Sequence, residues 1–186
     1  MFRAALLLVA AFALWPPAAR ADVWMAVRVS ASETEWDVWT TEPFLGERTL
    51  YLWGLLWGGT CELDFSFATP FEVVGLKMRP GFENRGSAES PLITPDTVLS
   101  YGLYLIGELD VRDAVGTGGR VCFEPSPDTQ RACVLECGVG EWYQPDFIGF
   151  RTTGLQYCPQ PTTSCFPISV EAESWGRIKA PYRTAN

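Results

Sequence analysis

The stretch Cys61-Glu62-Leu63-Asp64-Phe65-Ser66-Phe67 alternates apolar and polar side chains without a break. A strand repeats every two residues, so Cys61, Leu63, Phe65 and Phe67 belong on a core face and the acids and serine on the other. Val23, Met25, Val27 and Val29 alternate in the same way with Trp24, Ala26, Arg28 and Ser30. Thr49 to Trp57 is apolar on both faces, which predicts a central strand covered on both sides, with Trp53 and Trp57 in the core. Further strands are expected at 71–78, 98–106, 119–124, 131–136, 154–158 and 168–171, with a weaker one at 36–40. Gly/Pro turns separate these runs, among them Arg79-Pro80-Gly81 and Gly116-Thr117-Gly118-Gly119, and residues 83–95 read as a long surface loop. The pattern predicts an all-β chain, an antiparallel β-sandwich of jelly-roll or Ig-like kind.

The first 21 residues have the order of a secretory signal peptide. Arg3 is followed by an apolar core from Ala4 to Leu14, a Pro16-Pro17 break and the small-x-small site Ala19-Arg20-Ala21. Cleavage there leaves 12 basic against 22 acidic residues, a net charge of −10. An exported acidic chain is a poor partner for nucleic acid or anionic lipid, since both repel it. The longest apolar run after cleavage, Leu50 to Trp57, is too short to cross a bilayer as a helix, so no membrane insertion is expected. The expected location is periplasmic or extracellular. Residues 22–137 read as the sandwich core. Residues 138–186 read as a loop-rich, disulfide-stapled part of the same domain, with at most one short helix from Ser174 to Lys179.

All six cysteines follow the leader, and in an oxidising compartment they read as disulfides. The runs 119–124 and 131–136 look like two arms of a hairpin about Pro127-Asp128. In that register Cys122 lies opposite Cys133, so Cys122–Cys133 is the expected pair. Cys158–Cys165 closes a short Pro-containing loop, and Cys61–Cys137 takes the remaining two. A zinc site at Cys133 and Cys137 lacks both a C-x2-C pair and a histidine.

The chain has no histidine. That excludes Ser-His-Asp and Cys-His catalysis and removes the usual ligand of catalytic zinc. No catalytic residue and no cofactor is assigned. Glu108, Asp110 and Asp113 cluster beyond a predicted strand and form a weak calcium candidate, set against a solvated acidic loop. Trp24, Trp36 and Trp39 are the tryptophans able to form a platform for a sugar ring, set against plain core or edge packing. Glu62 and Asp64 share a strand face, as any alternating acidic strand requires.

Three segments together resemble a bacterial cohesin module. They are Leu63-Asp64-Phe65-Ser66-Phe67, then Pro70-Phe71-Glu72-Val73-Val74-Gly75-Leu76, then Pro80-Gly81-Phe82-Glu83-Asn84. Leu99-Ser100-Tyr101-Gly102-Leu103 and Gly118-Gly119-Arg120-Val121-Cys122-Phe123 are similar to later strands of that family, so the resemblance spans about residues 61–124. It implies a cohesin-like jelly-roll sandwich and a non-catalytic role holding a protein partner. The six cysteines, the tryptophan-rich start and the loop-rich end depart from the family pattern, and no partner-contacting residue carries over. The expected function is therefore a secreted or periplasmic binding or structural module for an extracellular protein or cell-surface assembly. A polysaccharide-binding module using the tryptophans is the first alternative, and a carboxylate-dependent hydrolase the second.

Overall fold

The computed structural model describes residues 25–162 and residue 165. The leader, Trp24, the expected strand at 168–171 and the expected helix at 174–179 lie outside the described residues. Among the described residues every regular element is a strand. In chain order they are β1 (Ala26–Ser30), β2 (Thr40–Thr41), β3 (Gly46–Leu56), β4 (Thr60–Asp64), β5 (Ser66–Ala68), β6 (Glu72–Met78), β7 (Phe82–Asn84), β8 (Leu92–Pro95), β9 (Gly102–Asp113), β10 (Arg120–Glu124), β11 (Cys133–Glu136), β12 (Glu141–Tyr143), β13 (Asp146–Ile148) and β14 (Phe150–Thr152).

One layer is the sheet β13-β1-β3-β9-β6, antiparallel except where β13 joins β1. The long strands β3 and β9 pair over their whole length, with one irregularity at Leu52/Trp53. The other layer comprises two ladders, β2-β14-β10-β5 and β12-β11-β4-β8-β7. These ladders are continuous in sequence. Strands β4 and β5 are one alternating run broken at Phe65, and β10 and β11 follow each other antiparallel to it: Glu124 pairs with Ser66 and Cys133 with Asp64. The partner strand advances by two residues there, while the chain inserts the eight-residue excursion 125–132.

That geometry corrects the expected hairpin. β10 and β11 lie end to end along the same β4–β5 run and point the same way, so they are not the two arms of a hairpin. Cys122 sits opposite Ala68 and Cys133 opposite Asp64. Four residues of strand separate those positions, about 13 Å, well outside disulfide reach. Instead Cys122 bonds Cys158 with Cα atoms 5.4 Å apart, and Cys133 bonds Cys165 at 5.7 Å. The expected Cys122–Cys133 and Cys158–Cys165 pairs are thus replaced, while Cys61–Cys137 is present at 5.8 Å. Two bridges tie the C-terminal segment to the successive strands β10 and β11 of one layer.

Alternation builds the core as elementary strand geometry requires. Leu50, Leu52 and Leu56 of β3, Leu109 and Val111 of β9, and Val27 and Val29 of β1 are fully buried from one layer. Leu63, Phe65, Ile93 and Val121 meet them from the other. Phe65, Phe67, Phe123 and Phe147 form the aromatic centre, with ring centroids 4.7 to 6.0 Å apart and mostly edge-on or tilted, the arrangement ring quadrupoles favour.

Three departures from the sequence reading have local causes. Segment 154–158 is not a strand: the chain turns at Gly154, whose φ is +84°. The expected loop 83–95 contains β8, whose Leu92 and Ile93 pair with β4; two apolar residues beside Pro91 give too short a period to read. Residues 36–40 are irregular except at Thr40, because their tryptophans turn back onto β1.

Candidate functional site: the outer face of the five-stranded sheet

Strand β3 sends Tyr51, Trp53 and Leu55 away from the core. The sequence reading placed Trp53 in the core, under a second cover. The described residues give that face only partial cover, and all three side chains are half-buried. Register sets their neighbours: Trp53 pairs with Leu105, Leu55 with Leu103, Ala26 with Leu55 and Arg28 with Trp53. Leu103 is 44% exposed, and Tyr101, just before β9, is 57% exposed. One half of the outer face is therefore an apolar band of Trp53, Leu55, Leu103 and Leu105. The Trp53 indole is oriented by donating Nε1–H to the Ser32 carbonyl at 3.3 Å.

The other half of the same face is charged. Glu47 pairs across the sheet with Arg112, and Arg112 also reaches Glu72 at 3.0 Å. These two carboxylates hold the Arg112 guanidinium above its ordinary value, with the Glu47 hydrogen bond foremost. Glu108 meets Arg79 at 2.9 Å and Lys77 at 3.8 Å, and Arg79 also pairs with Glu33. Asp110 accepts a hydrogen bond from Thr49 at 2.5 Å. Exposed pairs of this kind add little stability but fix side chains in place.

The calcium candidates are dispersed by this register. Glu108 and Asp110 lie within β9 rather than in a loop, each with the protein partners just named. Asp113 has the opposite parity and is nearly buried. Its carboxylate accepts N–H groups from Val115 at 3.0 Å, Gly116 at 2.8 Å and Gly118 at 2.9 Å. Burial pushes its pKa up, but the backbone donors outweigh it and hold the group below the usual range. It thereby pins the Gly116–Gly118 turn, whose glycines both take φ +75°. No group of three acidic or cysteine side chains suited to a metal occurs among the described residues.

Trp36 and Trp39 close over β1. The Arg28 guanidinium, 7% exposed, lies 3.9 Å from the Trp36 ring centroid and 5.5 Å from that of Trp39. Burial lowers the Arg28 pKa, while Asp146 and Asp37 oppose the shift. Trp39 also borders a cleft of about 350 Å³ with Asp146, Phe147, Tyr157, Cys158 and Gln160. In that cleft the Gln160 amide pairs with both polar groups of Phe147, accepting from N–H at 3.0 Å and donating to C=O at 2.9 Å. A side chain thus seals the free edge of β13, where another strand would otherwise dock.

Glu62 and Asp64 lie on the outward face of β4. Both carboxyls are pushed above their ordinary range by burial, Glu62 further by the Asp64 charge. Asp64 is 2% exposed, beneath the 125–132 excursion. The alternation revealed the strand and its facing, and gave no sign that a distant segment would cover it.

Among known protein families and curated sequences, no match to the chain is found. Solved cohesins give a loose likeness. A type I cohesin from Clostridium thermocellum, solved in complex with a dockerin, aligns over 70% of this chain and 93% of its own at 12% identity and a TM-score of 0.49. The sixth cohesin of Acetivibrio cellulolyticus scaffoldin B, also in complex with a dockerin, aligns over 69% and 97% at 8% identity and a TM-score of 0.46. A non-cellulosomal cohesin from Archaeoglobus fulgidus aligns over 70% and 92% at 9% identity and a TM-score of 0.46. The chain is an all-β sandwich with a weak cohesin-like resemblance.

Proposed function

We propose that this chain is an exported, non-catalytic binding module that holds a protein partner on the outer face of the β13-β1-β3-β9-β6 sheet. The carrying observation is the apolar band Trp53, Leu55, Leu103 and Leu105 beside an ordered charged half. A half-solvated sheet normally turns polar side chains outward. Here the central strands turn large apolar ones outward instead, on long, fully paired strands that cannot readily deform. Such a rigid patch with a charged surround has the make-up of a protein interface. Three disulfides support the exported setting.

The test is capture of exported proteins from the source cells by the wild-type chain and by the double variant Leu55→Glu/Leu103→Glu. Loss of a central apolar anchor costs about 2 kcal/mol or more of binding, roughly thirtyfold. The variant should keep its thermal midpoint and lose the captured protein. Equal capture by both proteins would refute the assignment of the face.

A second reading, carbohydrate binding, is favoured by the cleft that Trp39 and Tyr157 border, since aromatic rings beside the Asp146 carboxylate suit a sugar ring. It predicts a glycan-array signal that Tyr157→Ala abolishes. A blank array would remove it.

A further inference from the structure

The excursion 125–132 leaves the ladder between β10 and β11 and returns to it, covering Asp64. It is tied to itself by Ser126 N–H donating to Arg131 O at 2.7 Å and Gln130 N–H donating to Ser126 O at 2.8 Å. It is tied to the sheet by the Ser66 hydroxyl donating to Pro125 O at 3.0 Å and by the Ser90 and Ser126 hydroxyls 3.1 Å apart. Gln130 takes φ +59°, a left-handed conformation uncommon for a side-chain-bearing residue. Under and within this loop, Asp64 Oδ2, Thr129 Oγ1 and Arg131 Nε are all buried and none makes a hydrogen bond of good geometry, although the Thr129 and Ser126 hydroxyls lie close enough to the Asp64 carboxyl to favour its ionised form. Such groups are rare in folded proteins, and a buried ionised carboxylate is the costliest among them.

We propose that Asp64 is a proton-operated latch for this excursion: with the carboxyl protonated the loop is closed over it, and with the carboxylate ionised the loop opens to admit water. The groups facing Asp64 set the balance. Burial favours the neutral acid most strongly, and the Asp128 charge of the loop adds to it. The hydroxyls of Thr129 and Ser126 and the charge of Arg131 favour the ionised form but do not overcome burial. Glu62 on the same strand face is itself held toward its neutral form, and Arg131 and Arg85 oppose that. The strands beside Asp64 place Leu92 and Cys133 directly opposite it, neither of which carries a charge.

The sign follows from linkage. A carboxyl whose folded pKa is raised binds its proton more tightly in the closed state. Closure is therefore strongest below the ordinary aspartate value of about 3.9, weakens as pH rises from there to the raised closed-state value, and changes no further above it. The opened loop hydrates the carboxylate while the ladders on either side stay paired, so the response is local. The outer face of the other layer shares no group with the latch, and partner binding there does not depend on it.

The test is amide hydrogen exchange on the full oxidised chain between about pH 3 and pH 8, a range that begins below the ordinary aspartate value, corrected for intrinsic rates. Protection of the Ser126 and Gln130 amides should fall with rising pH, by up to about tenfold per unit, the limit for one linked proton. Core amides of β3 should not change. Asp64→Asn should hold both loop amides at the protected level throughout. Flat protection in the wild type, or an undiminished fall in Asp64→Asn, overturns the latch. If the variant fails to fold, the wild-type Asp64 carboxyl carbon followed by NMR decides: a midpoint above the ordinary aspartate range supports the latch, and one at or below it overturns it.

Discussion

Replacing Cys122 and Cys158 by serine opens a loop of 36 residues that the oxidised chain keeps closed. The chain-entropy treatment gives that closure about 4 kcal/mol, of the order of the bridge Cys133–Cys165, which closes 32 residues. For a chain of this size the loss should lower the thermal midpoint by roughly 8–16 °C. The assay is calorimetry without reductant, combined with a count of alkylated thiols. Cys122→Ser/Cys158→Ser should show no free thiol, because the other two bridges are intact. Cys122→Ser/Cys133→Ser takes one sulfur from each of two bridges. It should leave Cys158 and Cys165 without their native partners and be the less stable of the two variants. The hairpin pairing inverts both outcomes. Two free thiols in Cys122→Ser/Cys158→Ser, or a milder effect from Cys122→Ser/Cys133→Ser, would refute the continuous β10–β11 ladder.

Phe65→Ala removes the ring at the centre of the aromatic cluster and should cost about 3–5 kcal/mol in urea unfolding, with an unchanged slope if the denatured state is unaffected. Asp113→Asn should destabilise the protein at neutral pH by weakening the acceptor for three backbone donors. The Asp113 pKa is lowered, so its stabilisation is complete above the unfolded value of about 3.9 and is lost as pH falls through the lower folded value. The gap between wild type and Asp113→Asn in urea midpoint should therefore close in strong acid, and a gap unchanged at low pH would count against the role given to that carboxylate.

Local alternation made the layers legible. The odd-numbered side chains of 61–67 face inward as their period requires, apart from half-buried Cys61, β1 and β6 fall within expected runs, and β3 begins three residues before its own. What was not legible depends on partners distant in sequence. Cys122 and Cys133 look opposed in any local hairpin, and only the kinked β4–β5 strand, some sixty residues earlier, lays their strands end to end. Strand β9 runs seven residues past its expected end because β3 and β6 pair with it on both sides, which moves Glu108 and Asp110 from a loop onto a sheet face. The double-faced apolarity of 49–57 was visible, but period alone does not distinguish a buried face from one that presents itself to a partner. Trp53 is half-buried on the outer face, and its neighbours Leu103 and Leu105 reach it only through register.

The most direct test of the binding face is a photo-crosslinking residue placed at Leu103, with a second at Val139 on the β11–β12 turn as control. Exposed to the exported proteins of the source cells, the Leu103 probe should form one defined adduct with a protein, and the Val139 probe none. Adducts at Val139 alone, or none at Leu103 while the chain still captures a partner, would contradict the account.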